Sequence, residues 1–369
     1  MNVPKLRFKE FNDEWISYKF YDLVSIINGQ VDPNKKEYCN LPHIGPGNIE
    51  KETGRLLEYN LAKDDKLISS KYLFNKKSVI YGKINPHFAK VCYPKFAGLC
   101  SADAYPINPI EEKLTSTFLL YLLLNPKFTK FATSVSMRTG MPKINRDELG
   151  IYKFTIPKIN EQIKIGKTLE LLDKKIELQS KKIEDLKLFK LYNYDNLFSN
   201  QIREVQLKNI SKIEKGKQLN NELLIENGRY YMLNGGVSPS GYTNEYNANE
   251  NTITISEGGN SCGYVNFNKN KFWCGGHCYK VIPNGINNNY LYHNLKYNEK
   301  KIMDLRVGSG LPNIQKKDIE NFKISIHNEN EQLKISNYFD RYDLKIELEE
   351  LKLNKLMELK KGLMQNMFV

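Results

Sequence analysis

Asn160-Glu-Gln-Ile-Lys-Ile165 returns as Asn330-Glu-Gln-Leu-Lys-Ile335, and Lys175-Ile-Glu-Leu178 returns unchanged as Lys345-Ile-Glu-Leu348. Both pairs stand at the same offset. It holds without a gap from Thr139–Phe198 to Ser309–Phe368, with 20 identities in 60 positions. Charged helices can align by chance, but Gly140/Gly310 and Pro142/Pro312 lie outside any helical pattern. The chain is an internal duplication, and its architecture follows from that.

Each repeat then runs some 36–40 residues without a proline. Apolar residues fall at Ile165, Leu169, Leu172, Ile176, Ile183, Leu186 and Leu197 in the first copy. In the second they fall at Ile335, Phe339, Tyr342, Ile346, Leu353, Leu356, Leu363 and Met367. Steps of four and three make a heptad seam, interrupted at Gln179/Glu349 and Lys190/Lys360. Asn160 and Asn330 are the expected N-caps. A helix of this length spans roughly 55–60 Å at 1.5 Å per residue. A globular domain separates the two, so the chain should return along the second helix antiparallel to the first. A generic oligomerising coiled coil is the plainer reading of the same seam. Polar residues in it would limit register slips at some cost in stability.

The segments before each repeat resemble one another far less, apart from hints such as Leu23-Val-Ser-Ile-Ile-Asn-Gly29 against Ile210-Ser-Lys-Ile-Glu-Lys-Gly216. Ser78–Gly82, Ala89–Tyr93, Thr252–Ser256 and Tyr264–Phe267 read as short strands bounded by turn residues. Helices are expected near Thr115–Leu124, extending toward Thr133, and at Asn289–Tyr297. The expected fold class is α+β: two mixed, strand-rich domains separated by two long helices in an antiparallel coiled coil. The expected partition is 1–158, 159–199, 200–328 and 329–369.

Lys and Arg total 55 against 42 Asp and Glu, a formal charge of +13 with a pI near 9.1. Such an excess favours a polyanionic partner, since cations at phosphates release condensed counterions. Polar loops sit where a reader of nucleic acid needs them. Lys83, Asn85 and His87 follow the first strand; Glu257, Gly259, Asn260 and Ser261 follow its approximate counterpart. Glycines permit close backbone approach, while Asn, Lys, His and Ser carry donors and acceptors for base edges or phosphates. Arg138 and Arg306 precede the two Gly-x-Pro loops; Lys143 and Asn145, then Asn313 and Gln315, follow them. Lys217 is a further candidate for contact with DNA. A purely structural loop closing each domain on its helix is an equally good reading of these Gly-x-Pro positions.

Cofactor chemistry is absent from the sequence. There is no Gly-x-x-x-x-Gly-Lys-Ser/Thr phosphate loop and no Asn-Pro-Pro-Tyr or Asp-Pro-Pro-Tyr methyltransferase segment. Cys274-Gly-Gly-His-Cys278 lacks the second ligand pair of a structural zinc site. The six cysteines read as free thiols, no catalytic residue or metal ligand is assigned, and no run approaches the ~18 apolar residues of a membrane span. No signal-peptide core opens the chain, so a cytoplasmic location is expected.

Two unlike domains, each followed by a similar long helix, resemble the specificity subunits of type I restriction–modification systems. So do the opening Pro4-Lys-Leu-Arg-Phe8 with Phe11 and Trp15, Tyr81–Pro86, Ser256–Ser261, Phe272-Trp273, Pro157 with Glu161-Gln162, and Lys360–Phe368. The resemblance implies a non-catalytic subunit that binds double-stranded DNA, each domain reading one half of a bipartite, asymmetric site. The helices would set the gap, and their seam residues would serve both spacing and docking of subunits. Two methyltransferase subunits would bring S-adenosylmethionine; two restriction subunits would bring ATP and Mg2+. Ser256-Glu257 departs from the family in placing a carboxylate where many relatives carry a basic or neutral residue; it could accept from a cytosine amino group or simply be solvated. Two other readings remain: a self-contained DNA-modifying enzyme, and a coiled-coil scaffold carrying protein-binding β domains.

Overall fold

Two long helices organise the structure, a computed structural model that describes residues 3–137, 140–199, 203–308, 310 and 312–369. It divides into two compact units, residues 1–179 with 352–369, and residues 180–351. Unit 1 contains β1 (Ile16–Lys19), α1 (Phe20–Leu23), β2 (Val24–Ile26), β3 (His43–Ile44), β4 (Tyr72–Phe74), β5 (Val79–Gly82), β6 (Val91–Cys92), β7 (Gly98–Cys100) and β8 (Ala104–Pro109). After these come α2 (Ser116–Leu124), α3 (Pro126–Val135), α4 (Arg146–Ile151), β9 (Lys153–Ile156) and the first half of α5 (Ile159–Phe198). Unit 2 contains β10 (Arg203–Gln206), β11 (Ser211–Lys215), β12 (Tyr230–Leu233), β13 (Gly241–Thr243), β14 (Thr252–Ser256), β15 (Val265–Asn268), β16 (Trp273–Cys274) and β17 (Cys278–Pro283). It continues with α6 (Asn288–Tyr297), α7 (Glu299–Met303), α8 (Lys316–Asn321), β18 (Lys323–Ile326) and the first part of α9 (Glu329–Asn366).

Both units build the same four-stranded sheet and the same two-stranded ribbon from different sequences. A four-stranded antiparallel sheet has the order β2-β8-β5-β6 in unit 1 and β11-β17-β14-β15 in unit 2. A two-stranded ribbon, β1-β9 or β10-β18, leads into the long helix, and a three-stranded sheet completes each domain. The central registers correspond: Tyr81 opposes Tyr105 and Ile26 opposes Ile107, as Ile255 opposes Tyr279 and Ile213 opposes Val281. β5 is buried along its whole length, so its sequence is continuously apolar rather than alternating. The single helix expected from Thr115 toward Thr133 is two: Asn125 is extended, accepts from the Lys127 N–H, and precedes Pro126, which starts α3.

Seam residues of α5 and α9 are buried or half-buried within their units. In unit 1, Ile165 and Leu169 share a core with Met364, Met367 and Phe368. Each fully buried aliphatic side chain of this kind contributes about 1.5–3 kcal/mol. In unit 2 the helix pairing runs antiparallel: Lys182 meets Glu349 at 2.9 Å, Lys190 meets Asp343, and Tyr194 packs on Phe339 with ring centroids 4.2 Å apart. The seam interruptions find partners here. Lys190 pairs with Asp343, and the duplicates of these two residues form the matching pair in unit 1, Lys360 with Asp173 at 2.6 Å. Such polar pairs in an apolar seam fix register more than they add stability.

The N-cap expectation is corrected. The helices begin at Ile159 and Glu329, so Asn160 and Asn330 lie in the first turn; Asn328 caps the second helix by accepting from the Glu331 N–H at 3.0 Å. The repeated Glu-Gln has another purpose. Gln162 donates to the Pro157 and Lys113 carbonyls and accepts from the Thr115 N–H; Gln332 donates to the His327 carbonyl and accepts from the Asn287 N–H. Each buried amide thus ties the start of a domain helix, α2 or α6, to the long helix.

His293, fully buried on α6, links the domain of unit 2 to both helices. The Tyr194 hydroxyl donates to Nδ1 at 2.8 Å and Nε2–H donates to Asp340 at 2.9 Å, the pattern of a neutral imidazole. Burial lowers its pKa, Lys190 adds to this, and Asp340 and Asp343 oppose it. The folded state therefore binds fewer protons than the unfolded chain below the ordinary histidine value of about 6.5. Stability from this site is complete above that pH and falls as the pH drops through the lower folded value. Thermal unfolding of unit 2 should shift downward as the pH falls below about 6.5, and His293→Gln should flatten that slope; an unchanged slope would exclude the site as its source.

Candidate nucleic-acid interface

The loop after β5 and the loop after β14 are held by the same backbone bonds. The Asn85 N–H donates to the Pro142 carbonyl at 2.8 Å, and the Ile144 N–H donates to the Lys83 carbonyl at 3.1 Å. In unit 2 the Gly259 N–H donates to the Pro312 carbonyl at 3.0 Å, and the Ile314 N–H donates to the Glu257 carbonyl at 2.8 Å. Asn85 and Gly259 therefore occupy one structural position, and both are left-handed, with φ of +50° and +74°. Asn and Gly are the residues that tolerate this conformation. The Tyr105 and Tyr279 hydroxyls reach the Ile144 and Ile314 carbonyls beneath each loop.

Side-chain chemistry at this shared scaffold is opposite in the two units. In unit 1, Lys83 lies 5.3 Å from the Tyr105 ring centroid, near Lys143 and Arg146. Burial, then the neighbouring cations, lower its pKa, so an incoming anion would be welcomed electrostatically. Lys143 is exposed, as is His87, which packs against Phe88. Asn145 makes a reciprocal cap with Glu148 at the start of α4.

Glu257 is engaged internally as well. It is only 5% exposed, and one carboxylate oxygen accepts from both Lys215 at 2.7 Å and the Tyr279 hydroxyl at 2.8 Å. These two contacts tie it into unit 2. Asn260 is exposed at the loop tip, Ser261 and Gly259 are half-buried, and Gly259 has no neighbour where a Cβ would stand. Asn313 bridges to both Gly258 and Val307, and Arg306 is exposed beside Val307; Gln315 is exposed at the start of α8. Lys217 is exposed, and Arg138 lies outside the described residues. The structure therefore brings Lys83, Asn85 and Lys143 to one edge, and Glu257, Gly259 and Asn313 to its counterpart.

Among the described residues no cluster of three metal-ligating side chains occurs, and no helix is long and apolar enough to cross a membrane. All six cysteines are free thiols. Cys278 lies beside Cys274 in the core, its sulfur accepting the Gly235 N–H at 3.0 Å.

The profile of the type I restriction modification DNA specificity domain matches twice, over residues 12–188 and 200–358. The chain belongs to this specificity family. Among its relatives, the EcoDI type I restriction enzyme specificity subunit of Escherichia coli is 34% identical over 160 residues, 43% of this chain and 35% of the relative. A protein named as the MjaX specificity subunit, from Methanocaldococcus jannaschii, is 24% identical over 98% of this chain and 95% of its own length. In three relatives the match spans only 35%, 42% and 36% of the relative's length. The fold matches the crystal structure of a type I S subunit from M. genitalium with a TM-score of 0.73, covering 100% of this chain and 99% of that one at 20% identity. A chain from a structural study of type I complex assembly and conformational transition matches with a TM-score of 0.58 at 17% identity, covering 96% and 97%.

Sequence reasoning missed several residues of this specificity-family fold. Gln162 and Gln332 were visible as identities, but their task was not. Arg146 and the lysines flanking Lys217 gave no local signal, because the chain is brought together there only by sheet pairing.

Proposed function

We propose that this chain is the non-catalytic DNA-recognition subunit of a type I restriction–modification complex, each domain reading one half of a bipartite, asymmetric site. The observation that carries this is the pair of loops, Lys83–Asn85 and Glu257–Gly259, held by one backbone scaffold while the side chains they offer differ: Lys83 beside Lys143 in one, and exposed Asn260 after Gly259 in the other. Two readers on one frame need a shared support and different faces, which is what an asymmetric site demands. The helices α5 and α9 set the gap between half-sites.

Repeated outward apolar residues support docking of partner subunits. Ile163 and Leu333, Leu178 and Leu348, and Phe189 and Leu359 stand at equivalent positions and are all about half exposed. Such faces, repeated by the duplication, suit two copies of a partner. We assign these to methyltransferase subunits that bring S-adenosylmethionine, with restriction subunits bringing ATP and Mg2+, all in the cytoplasm.

The test is co-expression with the cognate methyltransferase subunit, followed by single-molecule mapping of methyladenine. A split motif with a fixed unspecified gap is expected on both strands. Replacing Gly258–Ser261, which carries Asn260, should then alter one half of that motif only. A stable complex that leaves DNA unmethylated would favour the scaffold reading, and S-adenosylmethionine binding by the single chain would favour a self-contained enzyme.

A further inference from the structure

A groove of about 480 Å³ opens on unit 2 between β11, β17 and the start of α8, lined by Lys212, Lys215, Lys217, Lys280, Lys316 and Glu214. Five lysines face one carboxylate. Glu214 accepts from Lys212 at 2.7 Å and Lys280 at 3.2 Å, and these two lysines hold its pKa below the usual range. Lys215 continues to Glu257, which connects the groove to the loop after β14.

The same place in unit 1 is built differently. The matching registers of Ile26 and Ile213 align Ser25, Asn28 and Gln30 with Lys212, Lys215 and Lys217, and Pro106 with Lys280. Arg146 is the duplicate of Lys316, but its guanidinium turns inward. It donates to the Ile26 carbonyl at 3.2 Å and the Ile27 carbonyl at 2.8 Å, and lies over the Tyr105 and Tyr72 rings at 5.2 and 5.9 Å. Lys316 pairs at the surface with Glu320 at 3.3 Å. Unit 1 has closed this position with its own backbone, whereas unit 2 leaves it open and positive.

We propose that the unit 2 groove is a phosphate-binding site, at a position that unit 1 closes with its own backbone, and that it contributes to the salt-dependent affinity for duplex DNA. The inference rests on the DNA-recognition reading. Five lysines against the carboxylates of Glu214, Glu257 and Glu320 leave this concave surface net positive, and a phosphodiester backbone passing the loop after β14 would supply the balancing charge. Phosphates held here would set the position of the loop without reading sequence.

The test is the affinity of the full-length chain for a fluorescent duplex, measured by anisotropy across a KCl series. In Lys217→Gln/Lys316→Gln, neither of which holds a buried partner, the slope of log K against log salt should fall by roughly 1.8, that is, about 0.9 for each of two phosphates no longer neutralised. Lys217→Arg/Lys316→Arg should keep the wild-type slope. Wild-type binding with an unchanged slope in the glutamine variant overturns the groove and leaves the DNA-recognition reading standing. No duplex binding by the wild-type chain at any salt overturns both.

Discussion

Inserting one heptad into each long helix, after Ser180 in α5 and after Glu350 in α9, should abolish recognition of the original DNA site and create recognition of one with a longer gap. Seven residues add about 10.5 Å at 1.5 Å per residue, close to three base pairs at about 3.4 Å each. A heptad preserves the side of the helix that faces its partner, so Lys190 should still find Asp343 and Lys360 should still find Asp173. The old site would then offer one half in place and one displaced. Losing one half of a specific contact set costs roughly half of about 4–10 kcal/mol, a loss of tens to thousands of fold. Methyladenine mapping reads the result directly. A gap unchanged in a stably folded double-insertion protein would remove the spacer role from these helices. Insertion into one helix only should lower stability without producing a new site, because seven residues would lack a partner.

Phe198→Ala should destabilise unit 2 by about 3–5 kcal/mol while leaving unit 1 nearly unchanged. Phe198 is 1% exposed, and its ring lies within 6.0 Å of those of Tyr194, Tyr290, Tyr297, His327 and Phe339. These residues come from α5, α6, α9 and the turn before α9, so a cavity there loosens several elements together. The duplicate position, Phe368, stacks on Phe118 at 5.3 Å in unit 1, and Phe368→Ala should produce the reverse pattern. The chain has two tryptophans, and each unit holds one: Trp15 in unit 1 and Trp273 in unit 2. Denaturation followed in single-tryptophan backgrounds therefore separates the units. Equal shifts at both reporters would show that the units do not unfold separately.

The helical repeat was legible because helix periodicity is local. A seam at steps of three and four, an unbroken run without proline, and a constant offset between the two copies require no knowledge of the rest of the chain. The seam interruptions at Lys190 and Lys360 were equally visible, but their purpose needed the partner helix. The strands after Ser78 and Thr252 are legible in their β-branched and aromatic residues, whereas the break at Asn125-Pro126 is hidden because the surrounding apolar run looks continuous. The helix starts differ from expectation because the true caps depend on how β9 and β18 deliver the chain.

By itself, then, the sequence determined the duplication, the two long antiparallel helices, the α+β domains and the family. All of these rest on patterns that neighbours along the chain enforce. Tertiary structure alone decided how the two candidate loops are built. Lys83 and Glu257 share a position only because sheet pairing and the Pro142 and Pro312 carbonyls place them there, in segments whose sequences barely correspond. The same pairing buried Glu257 against Lys215 and Tyr279, turned Arg146 onto backbone carbonyls, and left five lysines around an open groove. A side chain's charge is written in the sequence, but whether that charge is spent internally or offered to a partner depends on contacts between residues distant in the chain.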